Sequence, residues 1–398
     1  MRSTSNQEVD DEATAETQRL THVQSTGTRE RGRLIGEKEL KGMNVFKRSR
    51  TLVAGLAAVF VIVGCTGGDG GDGGDGGDGE GSHTIGVSNT LTNNGWREEM
   101  ICSINAQATV SGEVESVSIS HRDTDAAGQL EDIRNLVAED VDAIIVNPAD
   151  RSAIDDALAE ANEAGITVVA VDQAVTEESA FVLSNDQEQY AYLGATWLFE
   201  QLGGEGDVVY MRGIAGAAAD DDRDTGFQRA LDENPGINVV FESHTNWDQA
   251  TGVQQFNDFL ATGENFDGIW TSGIDNVIVD AMLEADVELV PIVGADNSGF
   301  VQQLLEVDGL VGAAVTNSAA VGGAGVTLAL QILNGEEPSE RITLTEPEIW
   351  SNDTDEGVAS LEEANDPDIE ATWPLQYSLE GWTDYTKEDI IDCDGPGA

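Results

Sequence analysis

From residue 83 onward, short apolar runs rich in β-branched residues alternate with longer stretches whose apolar positions recur every three or four residues. The runs 84–88, 114–120, 143–146 and 167–171 read as strands, and 129–139 and 152–164 read as helices set between them. The second half repeats this rhythm, with strands expected at 207–211, 238–243, 268–271, 289–293 and 311–315. Strand-then-helix alternation builds parallel sheets covered on both faces, because each crossover returns the chain over the sheet. About nine strands divide more naturally into two open sheets than into one barrel, and a polar break at 183–186 falls at the midpoint. The expected class is α/β with two lobes, each a parallel sheet sandwiched by helices.

Ahead of residue 83 the pattern changes. The uncharged run 51–63 follows Lys47, Arg48 and Arg50 and leads directly into Gly64 and Cys65. A basic flank, a short apolar stretch and small residues at a cut site describe a secretory signal, too short for a comfortable membrane span. A buried core helix or a signal anchor is the alternative. Ile62-Val63-Gly64-Cys65 resembles a lipobox, in which the cysteine becomes the lipidated first residue of the mature protein. Residues 1–42 are polar and aperiodic and Met43 precedes the basic flank, so 1–42 read as a disordered, mis-called start and 43–64 as the lipoprotein signal peptide. Residues 65–82 carry a repeated Gly-Gly-Asp without proline, a coil spanning about 20 Å that serves as a tether rather than a collagen-like helix.

Charge narrows the function classes. The 398 residues hold 19 Lys plus Arg against 75 Asp plus Glu, a net charge of -56. Ten of the cations lie in the first 64 residues, so the chain from Cys65 onward stands at -58, with Lys387 its sole lysine. Such a surface repels a nucleic-acid backbone, which excludes that partner. Periodic apolar runs, in a chain 40% hydrophobic, argue against disorder over most of the length. At molar salt the Debye length falls to about 3 Å and the self-repulsion is screened, so the composition reads as a halophilic protein's.

If Cys65 is acylated, Cys102 and Cys393 remain as an even pair outside the cell, where disulfides persist; two buried thiols are the alternative.

In open parallel sheets, ligands sit beyond the carboxyl ends of the strands. The residues there are Asn94, Trp96, Arg97, Asp172, Arg223, Trp247 (with Asp248 beside it), Asp275, Asp296 and Asn317. Carboxylates, amides and guanidinia interleaved with tryptophan suit a neutral polyol: ring C–H faces pack on indole and vicinal hydroxyls pair with planar bidentate groups. Any single Asp after a strand also fits a helix N-cap. An enzyme finds little support. His83, His121 and His244 have no evident nucleophile, and the 213–216 loop lacks the Gly-Lys-Ser/Thr of a phosphate loop and runs into Asp220, Asp221 and Asp222. Acids are too numerous for any pair to signal a glycosidase, so a hydrolase is the weakest reading. No cofactor or metal is expected.

Several stretches then occur in a specific order: Asn147-Pro148, residues 165–169 leading to Val171-Asp172, Gly213-Ile214-Ala215-Gly216 with Arg223 and Gly226-Phe227, Val293-Gly294-Ala295-Asp296, and Leu333-Asn334-Gly335-Glu336. With them residues 83 to about 345 resemble the periplasmic binding proteins of sugar ABC transporters, the ribose- and galactofuranose-binding group with the type I fold, in a haloarchaeal-like form. Gly95-Trp96-Arg97 resembles the galactofuranose binders, in which Trp and Arg face the sugar, and the end from Gly381-Trp382-Thr383 to Gly397 resembles an extended subgroup. The chain departs from the family where Gln173 replaces the usual Arg, where Asp221 replaces a sugar-binding Arg, and at Gly273-Ile274-Asp275, where an Asn-Asp pair is usual.

The resemblance implies an N-terminal lobe of 83–184 plus 318–340 and a C-terminal lobe of 185–317 plus 341–398, with crossings near Ser184, Asn317 and Glu340. It further implies a monomer held on the outer face of the cell membrane by its lipid, closing around a sugar or polyol and delivering it to an ABC permease. A sugar sensor serving a chemotaxis or signalling partner is the alternative.

Overall fold

The computed structural model describes residues 83–396. Cys65, the signal run before it and the Gly-Asp tether lie outside the described residues. The apolar runs form strands β1 (His83–Asn89), β2 (Val114–His121), β3 (Ala143–Asn147), β4 (Thr167–Val171) and β5 (Phe181–Asn185), then β6 (Glu205–Arg212), β7 (Gly236–His244), β8 (Gly268–Trp270), β9 (Ile292–Ala295) and β10 (Gly312–Val315). Two short strands follow, β11 (Ile342–Thr345) and β12 (Ile349–Ser351). They make two six-stranded sheets, ordered β11-β5-β4-β3-β1-β2 and β12-β10-β9-β8-β6-β7. The recorded strand pairs are parallel except β10 with β12.

Helices cover both faces of each sheet, which is why β3 and β4 are almost wholly apolar. On the first sheet α1 (Gly95–Ser111) and α9 (Val321–Leu333) seal one core, while α2 (Ala126–Ala138) and α3 (Asp155–Glu163) seal the other. On the second, α4 (Gln187–Gln201) and α5 (Ala218–Glu233) lie opposite α6 (Gln249–Leu260), α7 (Asp275–Glu284) and α8 (Ser298–Glu306). Among the described residues no helix is long and apolar enough to cross a membrane.

Three sequence expectations are corrected. The polar stretch 183–186 is mostly strand: β5 lies between β4 and β11, and its polar side chains are satisfied by Ser184 Oγ donating to Asp172 O at 2.5 Å and Asn185 Nδ2 to Ser318 O at 3.1 Å. The third crossing comes after Thr345 rather than near Glu340, because β11 pairs with β5 in the first sheet and β12 with β10 in the second.

The C-terminal extension, assigned from sequence to the second lobe, belongs to both. Its helix α10 (Asp355–Ala364) packs Leu361 into the second lobe, whereas Leu379 and Tyr385, together with Ile390 on α11 (Lys387–Asp392), enter the α1–α9 core of the first. Cys102 on α1 and Cys393 at the end of α11 form a disulfide, so of the two thiol states left open the paired one is found. The extension thus makes a fourth crossing between the lobes.

Candidate functional site

The carboxyl ends of both sheets face one another across a cleft. On the first lobe, Asn94 caps α1 by accepting the Arg97 N–H at 3.1 Å, and this fixes the first turn beside the end of β1. The Asn94 amide nitrogen reaches across to Trp247 O at 3.3 Å. Trp96 turns its indole N–H to Asn317 O at 2.6 Å, tying the cleft wall to the crossing after β10. Arg97 is 4% exposed and donates from Nη1 to Asn89 Oδ1 at 2.7 Å. Burial is the main cause that lowers its pKa to about 10, with Asp172 opposing the fall and Arg223 adding to it, so it stays a cation at neutral pH.

Asp172 follows β4 in the left-handed region at φ 64, a conformation that Asp tolerates better than most residues and that turns its carboxylate toward the cleft. Gln187 Nε2 donates to it at 2.8 Å and Asn147 Nδ2 at 3.4 Å. Burial pushes its pKa up while Arg97 and Arg223 pull it down. From the second lobe, Arg223 on α5 gives Nε to Gln187 Oε1 at 2.8 Å and lies 4.3 Å from the Tyr190 ring centroid and 5.8 Å from that of Trp247. With its amide oxygen turned inward, Asn317 lies 3.2 Å from Arg223 Nη2 and 3.0 Å from Trp96 Nε1.

Trp247 and Asn246 both have positive φ, at 52 and 59, and the turn they form swings the indole over Gly213. A Cβ at Gly213 would stand 2.2 Å from that ring, so only glycine lets the tryptophan lie there. The Trp247 indole N–H and the Ser272 hydroxyl are buried at the cavity wall and have no partner among the described residues. These are donors that a bound hydroxyl would satisfy.

The result is a cavity of about 180 Å³. Of the residues singled out from sequence, Asn94, Trp96, Arg97, Asp172, Arg223, Trp247 and Asn317 line it. Asp275 and Asp296 do not. Asp275 turns into the second lobe, where its carboxylate accepts from Thr271 Oγ1 at 2.7 Å, Asn297 Nδ2 at 3.0 Å and Gly273 N at 3.2 Å. Asp296 is consumed by backbone, accepting from Asn317 N at 3.0 Å and Gln376 N at 3.2 Å. Burial raises both pKa values to about 6 against these donors. Each was read as a ligand residue because it follows a strand, yet a strand-end carboxylate can as well serve the turn behind it.

Sequence reasoning missed Ser272, Asn297 and Thr372 in the cavity wall. Ser272 and Asn297 stand close to strand ends that had been read, so strand-end position was a usable signal for them. Thr372 comes from the C-terminal extension, for which no periodicity gave a signal. Gln173, which replaces a family Arg, is explained by the structure: its amide bonds Asn147 Oδ1 at 2.9 Å and Pro148 O at 3.0 Å and accepts from Ala219 N at 3.1 Å, joining the two lobes beside the cavity. Among the described residues no group of three or more His, Cys, Asp or Glu is placed to hold a metal ion.

Residues 85–337 match the family model for the periplasmic binding protein domain. A ribose import binding protein of Bacillus subtilis is 28% identical over 178 residues, which are 44% of this chain and 57% of that protein. The xylitol-binding protein of Mycolicibacterium smegmatis is 25% identical over 240 residues, 59% of this chain and 68% of the other. Among solved structures, the periplasmic binding protein component of an arabinose ABC transporter from Shewanella sp. ANA-3, bound to alpha and beta-L-arabinofuranose, superposes with a TM-score of 0.64 at 22% identity. The superposition covers 70% of this chain and 95% of that one, a likeness of fold.

Proposed function

The chain belongs to the periplasmic binding protein domain family, and from that premise we propose that it is the extracytoplasmic sugar- or polyol-binding component of an ABC transporter. The observation that carries this reading is the cavity itself. Two buried guanidinia whose recorded protein partners are amides, the Asp172 carboxylate between them and two indoles face a space sized for one small polyhydroxylated molecule. Trp247 and Ser272 supply further donors for its hydroxyls.

The cross-cleft contacts support ligand capture by lobe closure. Gln173 meets Ala219, and Arg151 Nη2 reaches Asp222 Oδ1 at 2.6 Å and Ala218 O at 3.2 Å; these bonds break when the lobes part. In this reading Cys65 carries the lipid that holds the protein at the outer membrane face, and the closed form docks on the permease. A thermal-shift and calorimetric screen of pentoses, hexoses and polyols at molar salt tests the proposal. Saturable binding of at least one of them is expected; binding by none overturns it.

A further inference from the structure

The most unusual feature of the cavity is that its wall includes a residue from the C-terminal extension. Residues 371–376 run along the start of α8 in the second lobe: Ala371 O accepts from Gly299 N at 3.0 Å, Trp373 O from Ser298 N at 2.9 Å, and Leu375 N donates to Asp296 O at 3.0 Å. Pro374 forms an antiparallel bridge with Asn297. The same segment touches the start of α1 in the first lobe. A Cβ built on Gly95 would stand 2.1 Å from Thr372 Oγ1 and 2.7 Å from Thr372 O, and one built on Gly299 would stand 2.8 Å from Ala371 Cβ. Neither glycine is among the residues with positive φ, so close approach of the extension is the constraint the structure shows at both.

The segment is also anchored beyond the cleft. Ser318 Oγ, at the crossing after β10, donates to Gln376 O at 2.6 Å, Thr327 Oγ1 of α9 donates to Trp382 O at 2.7 Å, and the Cys102–Cys393 disulfide fixes the end to α1. Thr372 lies between these anchors and faces the cavity beside Trp96 and Asn297.

We propose that the extension is a built-in wall of the ligand site, that Thr372 contacts the ligand through its hydroxyl, and that the segment shuts the cleft edge between the starts of α1 and α8, limiting the ligand to a single sugar or polyol unit. This rests on the sugar-binding reading above and adds a specificity residue to it. A threonine hydroxyl both donates and accepts, which matches a sugar hydroxyl, and the bridged edge leaves no exit there for a second ring.

The test is calorimetry on the full chain at molar salt with the same pentoses, hexoses and polyols as the screen above, and with the disaccharides maltose and sucrose, with melting measured in parallel. Wild type is expected to bind a monomeric member and neither disaccharide. Thr372→Val, which keeps the shape and removes the hydroxyl, should weaken the best ligand about tenfold with melting unchanged. Thr372→Trp, which fills the edge, should weaken it further and reorder the preference among panel members. A purely structural threonine would shift melting without reordering preference. If both variants bind as wild type does, or if wild type takes a disaccharide, the wall is disproved while the sugar reading stands. Binding of no panel member by wild type overturns both.

Discussion

The carboxylate of Asp296 accepts the backbone N–H of Gln376 at 3.2 Å, which joins the end of β9 to the C-terminal extension at the point where the extension crosses between lobes. Asn317 N completes the arrangement at 3.0 Å, so one buried acid holds two crossings together. Asp172, at the end of β4, has side-chain amides as partners and keeps its face to the cavity.

The two acids should therefore separate in mutants. Asp172→Ala is expected to weaken binding of the proposed ligand by roughly 1 to 3 kcal/mol, about fivefold to 150-fold, with a small change in melting. Asp296→Ala strands the buried Asn317 N–H and the part-buried Gln376 N–H and should lower the melting temperature markedly. Loss of affinity in Asp296→Ala with unchanged melting would show that its carboxylate serves the ligand after all.

The Cys102–Cys393 disulfide closes a loop with a sequence separation of 291, nearly the whole described chain. Replacing both cysteines by serine should cost about 2 to 5 kcal/mol of stability, by the usual effect of removing a native bridge. Melting of the double variant beside wild type, each with and without reductant, checks this. The variant should melt lower and ignore reductant, and equal melting would mean the apolar anchors Leu379, Tyr385 and Ile390 suffice alone.

Much of this molecule was legible because two local rules coincide. Buried parallel strands must be apolar, which exposes β1, β3 and β4 in the sequence, and cleft residues must follow such strands, which exposes Trp96, Arg97, Asp172 and Trp247. The direction in which a side chain turns after a strand is set by its neighbours in space. Asp275 and Asp296 were misplaced for that reason, since the partners that claim them come from Asn297, Asn317 and Gln376. Thr372 was invisible because its position depends on close approaches to Gly95 and Gly299, contacts without any periodic trace. Strand β5 was obscured because its polar side chains find partners across the first lobe.

Trp96 presents its ring to the cavity and its N–H to the crossing at Asn317, and the Arg97 guanidinium lies 5.9 Å from the ring centroid. Trp96→Phe keeps an aromatic face and loses the hinge hydrogen bond, so it should weaken binding modestly. Trp96→Ala removes the face on which, in the proposed function, a sugar ring packs, and should weaken binding at least tenfold more. Titrations followed by tryptophan fluorescence and by calorimetry compare the two. Equal dissociation constants in both variants, with lower melting, would make the residue a cap on α1 and not a ligand contact.

Glu99, on α1 just behind Arg97, is fully buried, and among the described residues neither carboxylate oxygen has a hydrogen-bond partner. Burial first and the nearby Asp296 second push its pKa well above the carboxylate range. Tyr377 and Tyr385 of the extension are pushed up too, by burial first and in part by Glu99, so each resists ionisation beside it. The sign follows from proton binding: the unfolded chain releases the Glu99 proton near pH 4.3, whereas the folded chain keeps it to higher pH. Its stabilising contribution is whole below that value and is lost as pH rises through the folded pKa. Glu99→Gln cannot ionise, so its stability relative to wild type should be near constant at acid pH and should improve steadily as pH rises toward 8. Subtracting the two profiles cancels the repulsion of the acidic surface, which is common to both chains, and leaves this group's part. A flat difference between pH 5 and 8, measured by chemical unfolding at molar salt, would mean that Glu99 is ionised in the folded protein and has found a partner.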